Sequence, residues 1–141
     1  MRYWDSSAVL PLVVREKTTA LLTDEIHVDP AIVTWWGTRV ECVSAVSRLE
    51  REGFLSDAGT RAALARLDAM SQEWTKVPAI TDVRTQATRL LRVHRLRAAD
   101  ALQLASAIVA CDFAAASLPF LTLDVRLAEA ADREGFPLGL R

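Results

Sequence analysis

Apolar runs of two kinds alternate along the chain. Four are short and bounded by polar or turn-forming residues, which is typical of strands buried in a sheet. These predicted strands are residues 2–5, residues 31–34, a short run near Val77, and residues 119–124. An apolar tail, FPLGL, could add a last edge strand after them.

Longer stretches between these runs carry apolar residues at three- and four-residue spacing, as on one face of a helix. Serine, threonine and aspartate stand where helix caps are expected. The predicted helices are one capped by Ser6 or Ser7, one from Gly37 or Thr38 to about Glu52, one over 56–74 with Ser56 or Asp57 as its cap, one from Thr81 or Asp82 to about His94, one over roughly 98–110, and one over 125–133. Strands separated by helices predict an α/β sandwich with a mostly parallel sheet.

Composition agrees with one folded unit and narrows the possible partners. The 141 residues fit a single domain over 1–141, and 51% of them are hydrophobic, which argues against disorder. The formal net charge is −1. Any anionic partner must therefore meet a local basic patch rather than the field of the whole molecule.

Neither the cysteines nor the N-terminus indicates a zinc site or a route through a membrane. Cys42 and Cys111 have no CxxC or histidine spacing, so we expect two buried thiols in a reducing compartment. The N-terminus lacks the layout of a signal peptide, and no apolar run approaches the ~18 residues of a membrane span. We therefore expect a cytoplasmic protein that does not bind membranes.

Four carboxylates differ from the other acidic residues, most of which lie among polar neighbours. Asp5 and Asp124 end predicted strands, in RYWD-SS and FLTLD-VR. Glu41 and Asp100 lie in otherwise apolar helical stretches, RVECVSAV and RAADALQLA. Parallel strands end at one edge of a sheet, and the helices that follow strands start there. We therefore expect all four carboxylates at the same edge.

Each carboxylate taken singly has a structural interpretation as well. Asp5 and Asp124 are suited to cap the helices that follow them, and Asp100 lies near a helix start, where the dipole favours a negative charge. Glu41 could pair with a nearby arginine. Together, however, four carboxylates without matching basic residues would repel one another unless a cation lies among them. All-oxygen ligation favours Mg²⁺ or Mn²⁺, which supports hydrolysis of a phosphodiester bond.

Four segments resemble, in order, the motifs of the PIN-domain ribonucleases. They are YWDSSAVLPLVVRE, RVECVSAVSRLEREG, LRAADALQLASA and FLTLDVRLAEAADREGF. The likeness is greatest to the VapC toxins of type II toxin–antitoxin systems and covers nearly the whole chain, with 56–74 its least diagnostic part. It implies a PIN-like three-layer α/β/α sandwich with a central, mostly parallel sheet of four to five short strands.

The resemblance also implies an activity and partners. The chain would be a Mg²⁺-dependent endoribonuclease, with Mn²⁺ as a possible substitute, and would act as the toxin of a toxin–antitoxin pair. It would form a homodimer and be silenced by a small antitoxin protein. Structured RNAs such as transfer or ribosomal RNA would be its targets.

Site roles carry over by resemblance to the four carboxylates. Asp5 and Asp100 would be the principal metal ligands. Glu41 would bind the metal directly or through water and help to orient the attacking water. Asp124 would complete the acidic pocket.

Two polar residues would support this pocket, and two departures from the family pattern accompany them. Ser7 would hydrogen-bond the Asp5 carboxylate or a water on the metal, and Thr122 is a weaker supporting candidate.

Gln103 stands where many relatives have histidine, which concerns the fine positioning of the site. The segment TWWGTR replaces the small polar residues that usually precede the second motif. Neither departure removes a carboxylate.

Arginines and tryptophans near the motifs are candidates for RNA contacts. The interval 84–97 has five arginines and no acid, and its Arg95 and Arg97 could grip phosphates beside the cleaved bond. A solvated helix face is the equal alternative. Trp35 and Trp36 could stack unpaired bases, although packing is favoured for each. His94, in the same interval, is expected at the surface rather than as a general base.

Two other classes of function stay open. A phosphoacceptor receiver module also gathers acids at strand ends, but it needs an acidic pair after the first strand and a late lysine, and no lysine follows Lys76. A catalytically silent PIN-like scaffold would bind RNA or protein without cutting. Such a scaffold is expected to have lost ligands, and this chain keeps all four carboxylates.

Overall fold

The computed structural model describes residues 1–140, which form an α/β fold. The strands are β1 (Arg2–Trp4), β2 (Ile32–Trp35), β3 (Thr75–Val77) and β4 (Phe120–Leu121). The helices are α1 (Ser6–Val13), α2 (Thr19–Val28), α3 (Thr38–Arg51), α4 (Asp57–Gln72), α5 (Thr81–Val93), α6 (Ala98–Ala110) and α7 (Val125–Arg133), with a short 3₁₀ turn at Ala115–Ser117.

The four strands of the described residues make one parallel sheet in the order β3-β2-β1-β4. Tyr3 of β1 is in register with Val33 of β2 on one side and with Phe120 of β4 on the other. All four strands therefore end at the same edge, as the alternation of strands and helices predicted.

Each face of the sheet covers its own hydrophobic core, because successive strand residues point to opposite faces. Tyr3 packs with Phe120 and residues of α5, α6 and α7. Trp4 packs on the other side with Leu121 and residues of α1 to α4. Helices on both faces of a parallel sheet are compatible with a three-layer α/β/α sandwich.

Three helices begin with a side-chain cap. The predicted capping by Asp5 and Asp124 is confirmed, and the alternative cap of α1 by Ser6 or Ser7 is wrong. Ser56 caps α4 by accepting a hydrogen bond from the Gly59 amide at 3.1 Å. Helix α1 is capped by Asp5 rather than by Ser6 or Ser7, both of which lie inside the helix. Asp124 caps α7. Such caps are worth about 1 kcal/mol each.

The structure differs from the sequence-based prediction at four further places. Helix α2 was not predicted, because only Leu22 of its ten residues is buried and its apolar period is correspondingly weak. Helix α5 starts after Ile80, which provides no side-chain cap, so the predicted cap by Thr81 or Asp82 is wrong. Strand β4 is shorter than 119–124, because the chain leaves the sheet after Leu121.

The fourth difference is the apolar tail, which runs beside β4 without forming a named strand. Leu138 makes a single parallel bridge to Phe120 there.

The cysteines agree only in part with the prediction. Cys42 is 1% exposed, and burial raises the pKa of its thiol to about 12. Cys111 is only partly buried. None of the helices in residues 1–140 is long and apolar enough to cross a membrane.

Candidate functional site

The four carboxylates come from four elements that meet at the carboxyl edge of the sheet, and we call them the acidic site. Asp5 follows β1 directly, and its amide donates to the Leu121 carbonyl of β4 at 3.0 Å. Asp124 lies three residues beyond β4. Glu41 and Asp100 occupy the first turns of α3 and α6. The topology that follows from the alternating pattern thus puts these residues in one region.

Asp5 is the buried centre of the acidic site. Asp5 is only 3% exposed. Oδ2 accepts hydrogen bonds from the Ser7 amide at 3.2 Å, from the Thr122 hydroxyl at 2.8 Å, and from the Ser7 hydroxyl. A buried carboxylate is expensive unless it is compensated, and donors of this kind favour its charged form. One side chain therefore caps α1 and stands fixed at the site.

Ser6 connects Asp5 to Glu41. Its hydroxyl lies 2.8 Å from Glu41 Oε2 and 3.3 Å from Asp5 Oδ1. A hydroxyl has one proton, so the shorter contact, to Glu41, is the stronger hydrogen bond. This serine sets the separation between the two carboxylates.

Gln103 holds Glu41 from the other side. It is fully buried, and its Nε2 donates to Glu41 Oε1 at 3.2 Å and to the Thr38 hydroxyl at 3.1 Å. Its Oε1 accepts a hydrogen bond from the Tyr3 hydroxyl at 2.8 Å. An ionised Glu41 carboxylate can only accept hydrogen bonds, so the NH₂ end of the Gln103 amide faces it. The two oxygens of Glu41 are thereby held from α1 and from α6.

The turn after β4 is tied to the same cluster. Thr122, which donates to Asp5, accepts a hydrogen bond from the Asp124 amide at 3.0 Å. The Leu123 amide donates to the Ser7 hydroxyl at 2.9 Å. Asp124 Oδ1 accepts from the Leu127 amide at 3.0 Å, which caps α7. These bonds place Asp124 beside Asp5.

The electrostatics of the site reflect burial first and neighbouring negative charge second. Burial is the main cause that raises the pKa of Glu41 above its ordinary value. The donors Ser6 and Gln103 oppose that rise, whereas the charges of Asp5 and Asp100 add to it.

Asp100 shows the same pattern. Burial raises the pKa of Asp100, the charge of Asp124 raises it further, and the amide and guanidinium of Arg97 oppose the rise. Keeping these carboxylates ionised together therefore costs free energy, and a bound cation would lower that cost.

Asp100 and Asp124 open onto a cleft of about 720 Å³. The cleft is also lined by three arginines: Arg95, Arg97 and Arg126. A lining that combines carboxylates with guanidinium groups suits a phosphate ester with a cation, because arginine binds phosphate oxygens bidentately.

Within residues 1–140, no three His, Cys, Asp or Glu side chains stand close enough together to form a ready-made ion site. Asp5 Oδ2 is taken up by its three donors, and Asp124 Oδ1 by the cap of α7. Mg²⁺, however, is commonly bound by one or two carboxylates, with waters and substrate phosphates as its other ligands. The donor set fits that mode, with Asp100 and Asp124 at the cleft and Asp5 and Glu41 behind them.

Sequence reasoning named most of the residues that the structure brings together. It missed Ser6 as a bridge, Thr38 and Tyr3 as partners of Gln103, and Arg126 in the cleft. One signal for the role of Gln103 was available in the sequence. Gln103 follows Asp100 by three residues, so the two side chains lie on the same face of α6 and Gln103 is expected near the site. Thr122 was ranked as a weaker supporting residue than Ser7, yet both hydroxyls donate to Asp5.

Two expectations about neighbouring residues are wrong. His94 is not a surface histidine, because its side chain is only 6% exposed and its Nε2 lies 2.6 Å from Glu134 Oε1. Trp36 does not pack in the core, since it is 61% exposed. Trp35 is buried as expected, and Trp36 meets it edge-on with ring centroids 6.2 Å apart.

No family model matches this sequence, and no curated protein sequence matches it significantly. The function must therefore be argued from the site itself.

Proposed function

We propose that this chain is a Mg²⁺- or Mn²⁺-dependent endoribonuclease of the PIN-domain type that acts as the toxin of a toxin–antitoxin pair. The observation that carries the proposal is the position of Asp100 and Asp124 in a cleft that also presents arginines. The raised pKa values of Glu41 and Asp100 agree with it, because burial first, and then the charges of neighbouring carboxylates, disfavour their ionised forms in the absence of a cation.

Each carboxylate has a distinct part in this proposal. Asp100 and Asp124 would hold the cation at the cleft, with Asp5 and Glu41 completing its environment. The cation, when bound, would polarise the scissile phosphate and activate a water for attack. Glu41, held by Ser6 and Gln103, is suited to accept a hydrogen bond from that water.

The arginines of the cleft would bind the substrate rather than react with it. Arg95 and Arg97 shortly precede Asp100 along the chain and line the same cleft, so phosphates beside the scissile bond would meet them. Trp36, exposed beyond the end of β2, could stack an unpaired base. The net charge of −1 makes such a local patch necessary for RNA binding.

A catalytically silent scaffold that binds RNA or protein is the second candidate. Titration with Mn²⁺ distinguishes the two candidates, because a scaffold without a site would show no saturable binding that depends on Asp100.

The remaining parts of the proposal concern partners and location. The resemblance supports a cytoplasmic homodimer, a small antitoxin bound near the acidic site, and transfer or ribosomal RNA as targets. A short reading frame directly upstream of the gene would be the first candidate for the antitoxin.

Expression in a bacterial host tests the proposal. We expect induction of the chain to arrest growth and to create new RNA 5′ ends at a small number of sites. The Asp5→Asn chain, expressed to the same level, should do neither. Growth arrest by Asp5→Asn equal to that of the parent would overturn the proposal.

A further inference from the structure

A second cleft, of about 610 Å³, adjoins the first. It lies between the α5–α6 connection and α7 and shares Arg95, Leu96 and Arg126 with the cleft at the acidic site. Arg133, in the last turn of α7, lines its far part. The two clefts therefore form one continuous depression, and we call the second one the arginine groove.

The arginine groove has an excess of unpaired positive charge. Across residues 1–140, the ion pairs include none of Arg95, Arg126 and Arg133. The acid in its lining is Glu129. Three arginines and one glutamate make this a local basic patch on a molecule whose formal net charge is −1.

The neighbouring cluster at the end of α7 shows how arginine is used when its role is structural. Arg89 Nη2 lies 2.6 Å from Glu134 Oε2, and His94 contacts the other oxygen of the same carboxylate. The arginines of the groove have no such carboxylate partner, although Glu129 is close by on α7. Their charge is available to a ligand.

The spacing of the groove arginines suits a chain of anions better than a single anion. Arg126 and Arg133 are seven residues apart on α7, so they share a face and their backbones are separated by about 10 Å. Arg95 faces them from the connection before α6. Side chains with origins this far apart can hold successive phosphates of one strand.

We propose that the arginine groove binds the RNA backbone on one side of the scissile bond, so that Arg126 and Arg133 extend the contacts made by Arg95 and Arg97. The inference rests on the proposed function, because that function puts the scissile phosphate in the adjoining cleft. It specifies the substrate as an RNA several nucleotides long that runs along α7. Exposed Val93 and Val125 offer apolar contact beside the groove.

Binding of a labelled single-stranded 12-nucleotide RNA, measured by fluorescence anisotropy in EDTA, tests the groove without cleavage. Each phosphate contact to single-stranded nucleic acid contributes about 0.7 to the salt slope. We expect Arg133→Gln to lower that slope by about 0.7 and to weaken binding roughly five- to tenfold at about 50 mM salt. Arg133→Lys should keep the slope.

Arg61→Gln is the matched control, because Arg61 is an exposed helix arginine of α4, which packs on the opposite face of the sheet. It makes the same charge change and should alter binding less than twofold. Both variants should unfold at nearly the parent temperature, since both positions are exposed. Equal losses of affinity in Arg133→Gln and Arg61→Gln would overturn the proposal.

Two further results separate this inference from its competitors. If polyglutamate binds more tightly than the RNA and loses the same factor in Arg133→Gln, the groove is a site for an acidic protein segment and the proposal is overturned. If the RNA binds in an Arg133-dependent way but is not cut with Mn²⁺, the groove assignment stands and the proposed nuclease function fails.

Discussion

Gln103 hydrogen-bonds Glu41 of the acidic site and also the buried hydroxyls of Tyr3 and Thr38. Gln103→Leu tests how much these hydrogen bonds stabilise the fold. The substitution keeps the approximate volume and removes both the donor and the acceptor. Tyr3 and Thr38 are fully buried, so the Tyr3 hydroxyl would lose its acceptor at 2.8 Å and the Thr38 hydroxyl its donor at 3.1 Å. Glu41 is partly exposed and can turn to water instead.

The expected loss follows from the two groups that are left unsatisfied. A buried donor or acceptor without a partner costs about 1–3 kcal/mol, so two such groups predict a loss of roughly 3 kcal/mol in the free energy of unfolding. That is a large fraction of the stability of about 5–15 kcal/mol that is typical of native proteins. Urea denaturation followed by circular dichroism measures it.

A double-mutant cycle sharpens this test. Tyr3→Phe removes the hydroxyl that Gln103→Leu leaves unsatisfied, so the double variant should be more stable than the sum of the two single losses by about 1 kcal/mol. Gln72→Leu, at an exposed position on α4, is the control and should change stability by less than about 0.5 kcal/mol. A loss below about 1 kcal/mol in Gln103→Leu, or strict additivity in the cycle, would show that the buried hydrogen bonds of Gln103 do not contribute to stability as proposed.

Three further predictions use thermal unfolding and RNA binding. Saturating Mn²⁺ at about 100 times its dissociation constant should raise the melting temperature by roughly 8 °C, and Asp100→Asn should remove that rise. Without the cation Asp100→Asn should melt higher than the parent, because burial, and then the charge of Asp124, raises the pKa of Asp100 and so disfavours its ionised form in the folded state. Arg89 and then His94 lower the pKa of Glu134. The ionised form of Glu134 therefore stabilises the fold at a pH above its ordinary pKa of 4.5, and this stabilisation is lost as the pH falls through the lowered pKa of the folded state. Glu134→Gln should lower the free energy of unfolding by about 1 kcal/mol at pH 7 and leave it unchanged in strong acid. Trp36→Ala should leave the melting temperature nearly unchanged and weaken binding of single-stranded RNA by about 1–3 kcal/mol, and an unchanged affinity would exclude base stacking on this side chain.

The placement of the carboxylates was predictable because it depends on topology more than on contacts. A strand that ends in Asp5 and another that is followed by Asp124 must bring these residues to one edge if the strands are parallel. Glu41 follows from the same rule, since it lies in the first turn of α3, which starts directly after β2. Asp100 does not, because α6 follows helix α5 rather than a strand, so its position depends on how the α5–α6 connection returns to that edge.

The hydrogen bond from Ser7 to Asp5 was expected, because the two residues are close in sequence. Most of the other hydrogen bonds inside the site depend on distances between distant segments and could not be predicted. Ser6 bridges Asp5 and Glu41 only because α1 and α3 pack closely, a separation of 35 residues along the chain. The sequence also does not decide between Asp5 and Ser6 as the cap of α1, because aspartate and serine are both preferred at that position. The exposure of Trp36 follows from the end of β2, where the chain has already left the core.

Cleavage of an end-labelled RNA by the purified chain, across a titration of Mn²⁺, shows whether the acidic site is a metal-dependent nuclease site. We expect discrete products that appear with Mn²⁺ or Mg²⁺, vanish with EDTA, and form at least about a hundredfold more slowly with Asp100→Asn. Glu52→Gln, an exposed acid at the end of α3 purified in the same way, should cut as fast as the parent. Cleavage that persists in EDTA, or that is equal in Asp100→Asn and the parent, would show that the acidic site is not a metal-dependent nuclease site.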